Sequence, residues 1–299
     1  MPVSLAYLTI ILIWSTTPLA IRWSTEGAGF AFSALARMLI GALVAAAILG
    51  VGRIGLPLHA RARRAYLVGG LGLFGIMALT YWGARYVSSG LISVMFGLSP
   101  LMAGLLAACW LGERSLTPTR LGGTLLGAGG LALIFMPDGT ANGANATAGL
   151  VALLVAVFIS SASLVALKRI GDDSPPLATT FGSLVVSLPL FGLLWLADGA
   201  ALPATLPSRT AAAISYLGIF GSVIGFALYY YVIKHLEASK VALITLITPV
   251  MALVLGHLLN REEIGAQVMA GTGLILLGLI VHESTTWRPV LGRLRGARG

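Results

Sequence analysis

Charge is what this 299-residue chain has least of. Asp, Glu, Lys and Arg together make up 10% of it, against roughly 25% in a typical soluble domain. Ten residues are acidic and three are lysine. The single cysteine, Cys109, excludes an intramolecular disulfide and a cysteine-based metal cluster. No lysine follows a glycine, so there is no Walker-type phosphate loop for direct ATP coupling. Neither HExxH nor GxSxG occurs, which removes the usual supports for zinc hydrolysis and for a serine nucleophile. The sequence calls for no metal and no cofactor.

In place of charge the chain carries apolar residues, 58% of the total. A hydrocarbon core about 30 Å thick takes roughly 20 apolar residues per helix. Ten windows meet that length, near residues 3–22, 31–51, 66–84, 88–111, 119–136, 147–167, 177–197, 210–233, 239–259 and 264–282. The expected fold is therefore an all-α membrane protein of ten transmembrane helices, with the lipid bilayer as its first partner. The first window starts without a basic leader, and no small-residue cleavage site follows it, so a removable signal peptide is not expected.

The net charge of +9 sorts by membrane side rather than forming a face for nucleic acid, so no nucleic-acid partner is expected. Fourteen of the nineteen basic residues fall in the even-numbered connections and the C-terminal tail. Arg22, Arg85, Arg209 and Arg261 fall in the odd ones, and Arg37 lies within a span. The positive-inside rule then puts both termini in the cytoplasm, as an even number of spans also requires. All ten acids sit in connections or at helix ends, so a carboxylate relay of the proton-pump kind is unsupported.

Sliding the chain against itself by 149 residues aligns 81–131 with 230–280 without a gap. Tyr81 meets Tyr230, Pro100 meets Pro249, Glu113 meets Glu262, and Gly122 and Gly129 meet Gly271 and Gly278. Five helices per copy would place the two copies in opposite membrane orientations. The resulting division is a first half over 1–137, a periplasmic linker over 138–146, a second half over 147–285 and a basic cytoplasmic tail over 286–299.

Ten spans in a duplicated five-helix pattern, with Gly112, Glu113 and Arg114 followed by glycines, resemble the EamA-type members of the drug/metabolite transporter superfamily. Trp14, Ser15 and Thr16, then Ile21, Arg22, Glu26 and Gly27, are similar to the aromatic amino acid exporter branch. The stretch from Ala36 to Leu43 resembles the family's arginine-plus-apolar opening of the second helix. The resemblance covers essentially the whole chain. It implies a 5+5 inverted-repeat bundle around a central cavity, with the fifth and tenth helices at the periphery, moving metabolites outward.

Pro100 and Pro249 fall near the middle of the fourth and ninth spans, where each removes a backbone hydrogen bond. Paired breaks at matching depth point to a binding site or hinge, and they leave the carbonyls of Phe96 and Thr245 without an amide four residues on. Arg37 is the one permanent charge well inside a span, at about 2.5–3.5 kcal/mol on insertion scales. It either binds a substrate carboxylate or stabilises one gate, or else snorkels outward or pairs structurally with Glu26. His257 shares a helix face with Pro249 and is a possible proton-linked group. Trp14, Thr17, Tyr81, Phe96, Ser99, Ser222, Tyr230, Thr245 and Thr248 complete the expected cavity, which suits a small amphipathic molecule. Glu113 and Glu262 precede the fifth and tenth helices, where a carboxylate favours the helix dipole. Gly123 and Gly127, and Gly221 and Gly225, have the GxxxG spacing of closely packed helices.

These features lead to the expectation of a bacterial inner-membrane exporter of small metabolites, amino acids including aromatic ones, working by alternating access. It would act as a monomer or weak homodimer. Facilitated and proton-coupled transport both fit. The alternatives are a non-transporting membrane enzyme or interaction protein on the same bundle, or an exporter of other metabolites or drugs.

Overall fold

A computed structural model describes residues 2–111, 117–134, 144–235 and 238–296. The motif from Gly112 to Arg114, with Glu113, and most of the linker lie outside the described residues. Among those described every regular element is helical. They are α1 (Val3–Thr25), α2 (Phe30–Val51), α3 (Ala60–Gly83), α4 (Ser89–Phe96), α5 (Ser99–Leu111), α6 (Pro118–Ile134), α7 (Ala144–Ile170) and α8 (Pro176–Ala197). Then come α9 (Ser208–Tyr216), a π-helical segment (Leu217–Ile224), α10 (Gly225–His235), α11 (Ala238–Asn260) and α12 (Ala266–Gly296).

Seven stretches are long and apolar enough to cross a bilayer among the described residues, and Ile247–Asn260 and Ala266–His282 are shorter apolar helices. The protein is thus a multi-pass membrane protein. Many large apolar side chains, Leu43, Leu125 and Leu258 among them, face outward, a surface that suits lipid rather than water.

Local chemistry explains the ends. Gly27 and Gly29 take positive φ in the α1–α2 turn, a conformation glycine adopts without steric cost. Ser33 Oγ then donates to the carbonyl of Gly29 at 2.7 Å and to that of Ser24, fastening α2 to the end of α1. At the start of α4, Leu91 N–H donates to the Ser88 hydroxyl at 3.3 Å, an N-cap.

The helices pack in matched sets. α1 lies against α9, α10 and α11, while α7 lies against α3, α4 and α5; α2 packs on the π segment and α8 on α3. Three contacts join like to like: α2 with α8, α4 with α11, and α6 with α12. The α6–α12 pair is antiparallel and built on glycine. A Cβ on Gly123 would fall 2.5 Å from the Gly278 carbonyl, and one on Gly130 as close to that of Gly271. Backbones meet there with no room for a side chain. Gly127, singled out by its spacing from Gly123, lies at the same seam against Gly278.

Candidate functional site

The two expected hinges differ. The fourth span is broken, with a turn at Gly97 and Leu98 between α4 and α5 and Pro100 at the second position of α5. Leu98 N–H donates to the Met95 carbonyl at 3.0 Å, a tight turn in place of a helical bond. Pro249, by contrast, lies inside α11, which continues through it. The expectation of paired breaks is corrected on this point: proline removes one hydrogen bond, and the bonds on either side can carry a helix past it. The two sites nevertheless meet. A Cβ on Gly97 would lie 3.4 Å from the Pro249 ring, and one on Gly90 only 2.5 Å from the Leu253 side chain. The α4–α5 break is thus seated on the proline of the other half.

Arg37 is 3% exposed. Its Nε donates to the Ser222 hydroxyl at 3.0 Å and its Nη1 to the Met77 sulfur at 3.7 Å. No carboxylate lies within ion-pair distance of it among the described residues. Ser222 sits in the π segment, and its own hydroxyl donates to the carbonyl of Leu217, five residues earlier, at 3.1 Å. The widened turn therefore sets Ser222 to accept from Arg37, and π turns recur at functional sites. Gly221 leaves space for the guanidinium: a Cβ there would lie 3.3 Å from Arg37 Nη2. The structural pairing of Arg37 with Glu26 does not form, because Glu26 is held by Arg209.

The remaining expected residues divide. Tyr81 is fully buried, and its hydroxyl has no hydrogen-bond partner among the described residues. Thr17 returns its hydroxyl to the Ile13 carbonyl at 2.6 Å. Trp14 packs beside a second apolar cluster of Ile10, Val232 and Ile244. Phe96 lies against the main core, and Ser99 accepts from Ser161 Oγ at 3.2 Å through its carbonyl. Thr248 is buried. The side chains of Tyr230 and Thr245 lie outside the described residues.

One polar constellation was not expected, and it ties the two halves together at one end. Glu262 is 9% exposed. Its Oε2 accepts from Ser89 N–H and Ser89 Oγ, both at 2.9 Å, and from Gly90 N–H at 3.4 Å. Its Oε1 accepts from Asn260 Nδ2 at 2.9 Å and lies 3.6 Å from Arg22 Nη1. Arg22 also donates to the Val87 carbonyl at 3.1 Å, and Trp23 Nε1 to Asn260 Oδ1 at 3.1 Å. Arg209 lies over the Trp23 ring at 5.5 Å and continues to Glu26.

Glu262 thus caps α4 from the other half, rather than the helix that follows it in sequence. Several charge-assisted bonds converge on one carboxylate there. His257 Nδ1 donates to the Glu262 carbonyl at 3.0 Å, so it buttresses this corner. The repeat of Glu113 and Glu262 was the one available signal, but the partner, 173 residues away, carries no mark in the sequence.

The opposite ends of the helices carry two grooves, neither lined by an expected cavity residue. The larger, about 650 Å³, is lined by Arg61, Arg64, Val68, Trp110, Ala166, Arg169 and Ile170. The smaller, about 430 Å³, is lined by His59, Ala60, Arg61, Gly171, Asp172 and Asp173.

The model of the EamA-like transporter family matches residues 1–136 and again 147–282. A probable terminal-alkyne amino-acid exporter of Streptantibioticus cattleyicolor is 30% identical, over 98% of this chain and 95% of its own. An uncharacterized transporter of Archaeoglobus fulgidus is 28% identical over 71% and 75% of the two chains. Protein PecM of Dickeya dadantii is 27% identical over 82% and 81%. A solved crystal structure superposes with a TM-score of 0.64 at 23% identity, covering 94% of this chain and 96% of that one, which speaks for the fold.

Proposed function

Because the chain belongs to the EamA-like transporter family, with two copies of its repeat, we propose that it exports small metabolites, amino acids including aromatic ones, by alternating access. The observation that carries the substrate class is Arg37. A buried guanidinium with a serine and a thioether as its polar partners has donors to spare, and a planar carboxylate is the group that fits them. The similarity to a probable amino-acid exporter supports the same class.

Ten helices in an inverted 5+5 arrangement are the natural reading of the matched packing sets and the antiparallel α6–α12 pair. On this reading the Glu262 network seals the outer face of the membrane, since the basic connections lie at the other end. Both termini are then cytoplasmic, and the membrane is the bacterial inner membrane. The Gly97–Pro249 contact is the pivot: α5 and the elements that move with it swing while α4 stays docked on α11. Tyr81 and Ser222 contribute polar groups to the path.

Purified protein in liposomes, tested for uptake of labelled amino acids, sugars and a cationic dye, checks the reading. Movement of amino acids above protein-free liposomes is expected. Movement of sugars or dye alone would overturn the substrate class, and no movement of any would overturn the function.

A further inference from the structure

The larger groove is a different site from the one built on Arg37. It lies where the first turns of α3, the last turn of α5 and the last turn of α7 meet. Three arginines, Arg61, Arg64 and Arg169, converge on it, with Trp110 among them. All three are exposed, and among the described residues none is within ion-pair distance of a carboxylate. Two acids, Asp172 and Asp173, line the neighbouring groove that Arg61 shares. Asp172 Oδ2 accepts there from Ser174 N–H at 3.3 Å, while its buried Oδ1 makes no hydrogen bond among the described residues and lies 3.7 Å from His59 Nε2. Among the described residues, the three guanidiniums therefore present a concentrated positive site with no carboxylate at ion-pair distance.

The wall of this groove continues into the bilayer. Arg61, Arg64, Leu67, Val68 and Leu71 form one stripe of α3, because steps of three and four residues stay on one helical face. Leu67 and Leu71 are 52% and 56% exposed, so the stripe passes from cation to uncovered hydrocarbon going inward from the helix start. Trp110, 46% exposed, is the residue type that sits at the headgroup level. A free phosphate would use the arginines and leave the leucines bare. A phosphate ester carrying acyl chains would use both.

We infer that this groove binds one anionic phospholipid, its phosphodiester held by Arg61, Arg64 and Arg169 and an acyl chain lying along Leu67 and Leu71. Basic pockets between membrane helices take acidic headgroups in this way, and the arginine fork matches phosphate oxygens. The site is independent of what the protein transports. It would pin α3 and α7 to the end of α5, one wall of the bundle, at the membrane face opposite the Glu262 network.

Native mass spectrometry of the full chain in detergent tests it, with phosphatidylglycerol and phosphatidylcholine of identical chains offered in turn. The expected result is a bound fraction at least about fivefold higher for phosphatidylglycerol, reduced to parity in Arg61→Gln/Arg64→Gln/Arg169→Gln. Arg63→Gln, exposed on the same helix but outside the groove, is expected to keep the preference, and so to separate the groove from general charge. Millimolar glycerol phosphate should not displace the lipid. Equal binding of the two lipids, a preference that survives the triple substitution, an equal loss in Arg63→Gln, or displacement by glycerol phosphate would each overturn the inference. Thermal unfolding of each variant in detergent confirms that the chain being compared is folded.

Discussion

Arg37 of α2 presses its guanidinium against Gly221 and Ser222 of the π segment, whereas in the other half Val186 of α8 packs its side chain against Gly70 of α3. Both seams rely on glycine for close approach: Gly218 faces Ile40 at the first, and Gly69 faces Ser183 at the second. Only the first carries a cation, and only the first winds into a π turn. The apolar seam packs without either, so neither is needed for packing. A buried arginine that the fold does not require, kept at an insertion cost of about 2.5–3.5 kcal/mol, is on the proposed reading there for the substrate.

Substitutions can break this comparison. The largest effect is expected from Arg37→Leu, which should lower amino-acid transport in liposomes by about 100-fold. Its midpoint of thermal unfolding should be unchanged or raised, because no anion is left unpaired. Glu262→Ala is expected to do the reverse on stability. It strands Ser89 N–H and Gly90 N–H in a buried place, at about 1–3 kcal/mol, read as a clear drop in the thermal midpoint in detergent.

Gly70→Ala and Gly218→Ala probe what the seams share. Each new methyl meets a side chain within 2.6 Å, so both should lose about 1–3 kcal/mol of stability, and a loss in one alone would show that the seams are not equivalent scaffolds. Ser222→Ala should cost about three- to tenfold in transport, since Arg37 loses an acceptor but keeps its charge. Val186→Thr, at the apolar seam of the other half, should change transport less than twofold.

Much of this architecture is legible in the chain. Runs such as Phe30–Val51 declare themselves, because lipid accepts little else. Arg37 stands out as a cation in such a run. The register of Ser222 does not: a π turn depends on one extra residue per turn and leaves no periodic trace over eight residues. The partner of Glu262 is equally hidden, since a helix N-terminus is capped by whatever carboxylate the fold delivers, and folding delivers one from the other half. Pro100 and Pro249 read alike in sequence, and the structure separates them because only the first is preceded by Gly97 and a tight turn.

The most direct test is counterflow of labelled phenylalanine in liposomes holding the wild-type chain, Arg37→Lys or Arg37→Leu, with unlabelled phenylalanine or phenylalaninamide as competitor. The wild type should move phenylalanine and be inhibited by the acid but not by the amide, Arg37→Lys should retain a minor fraction, and Arg37→Leu almost none. Full transport by Arg37→Leu, or equal inhibition by the amide, would contradict a carboxylate-reading arginine at the centre of the exporter.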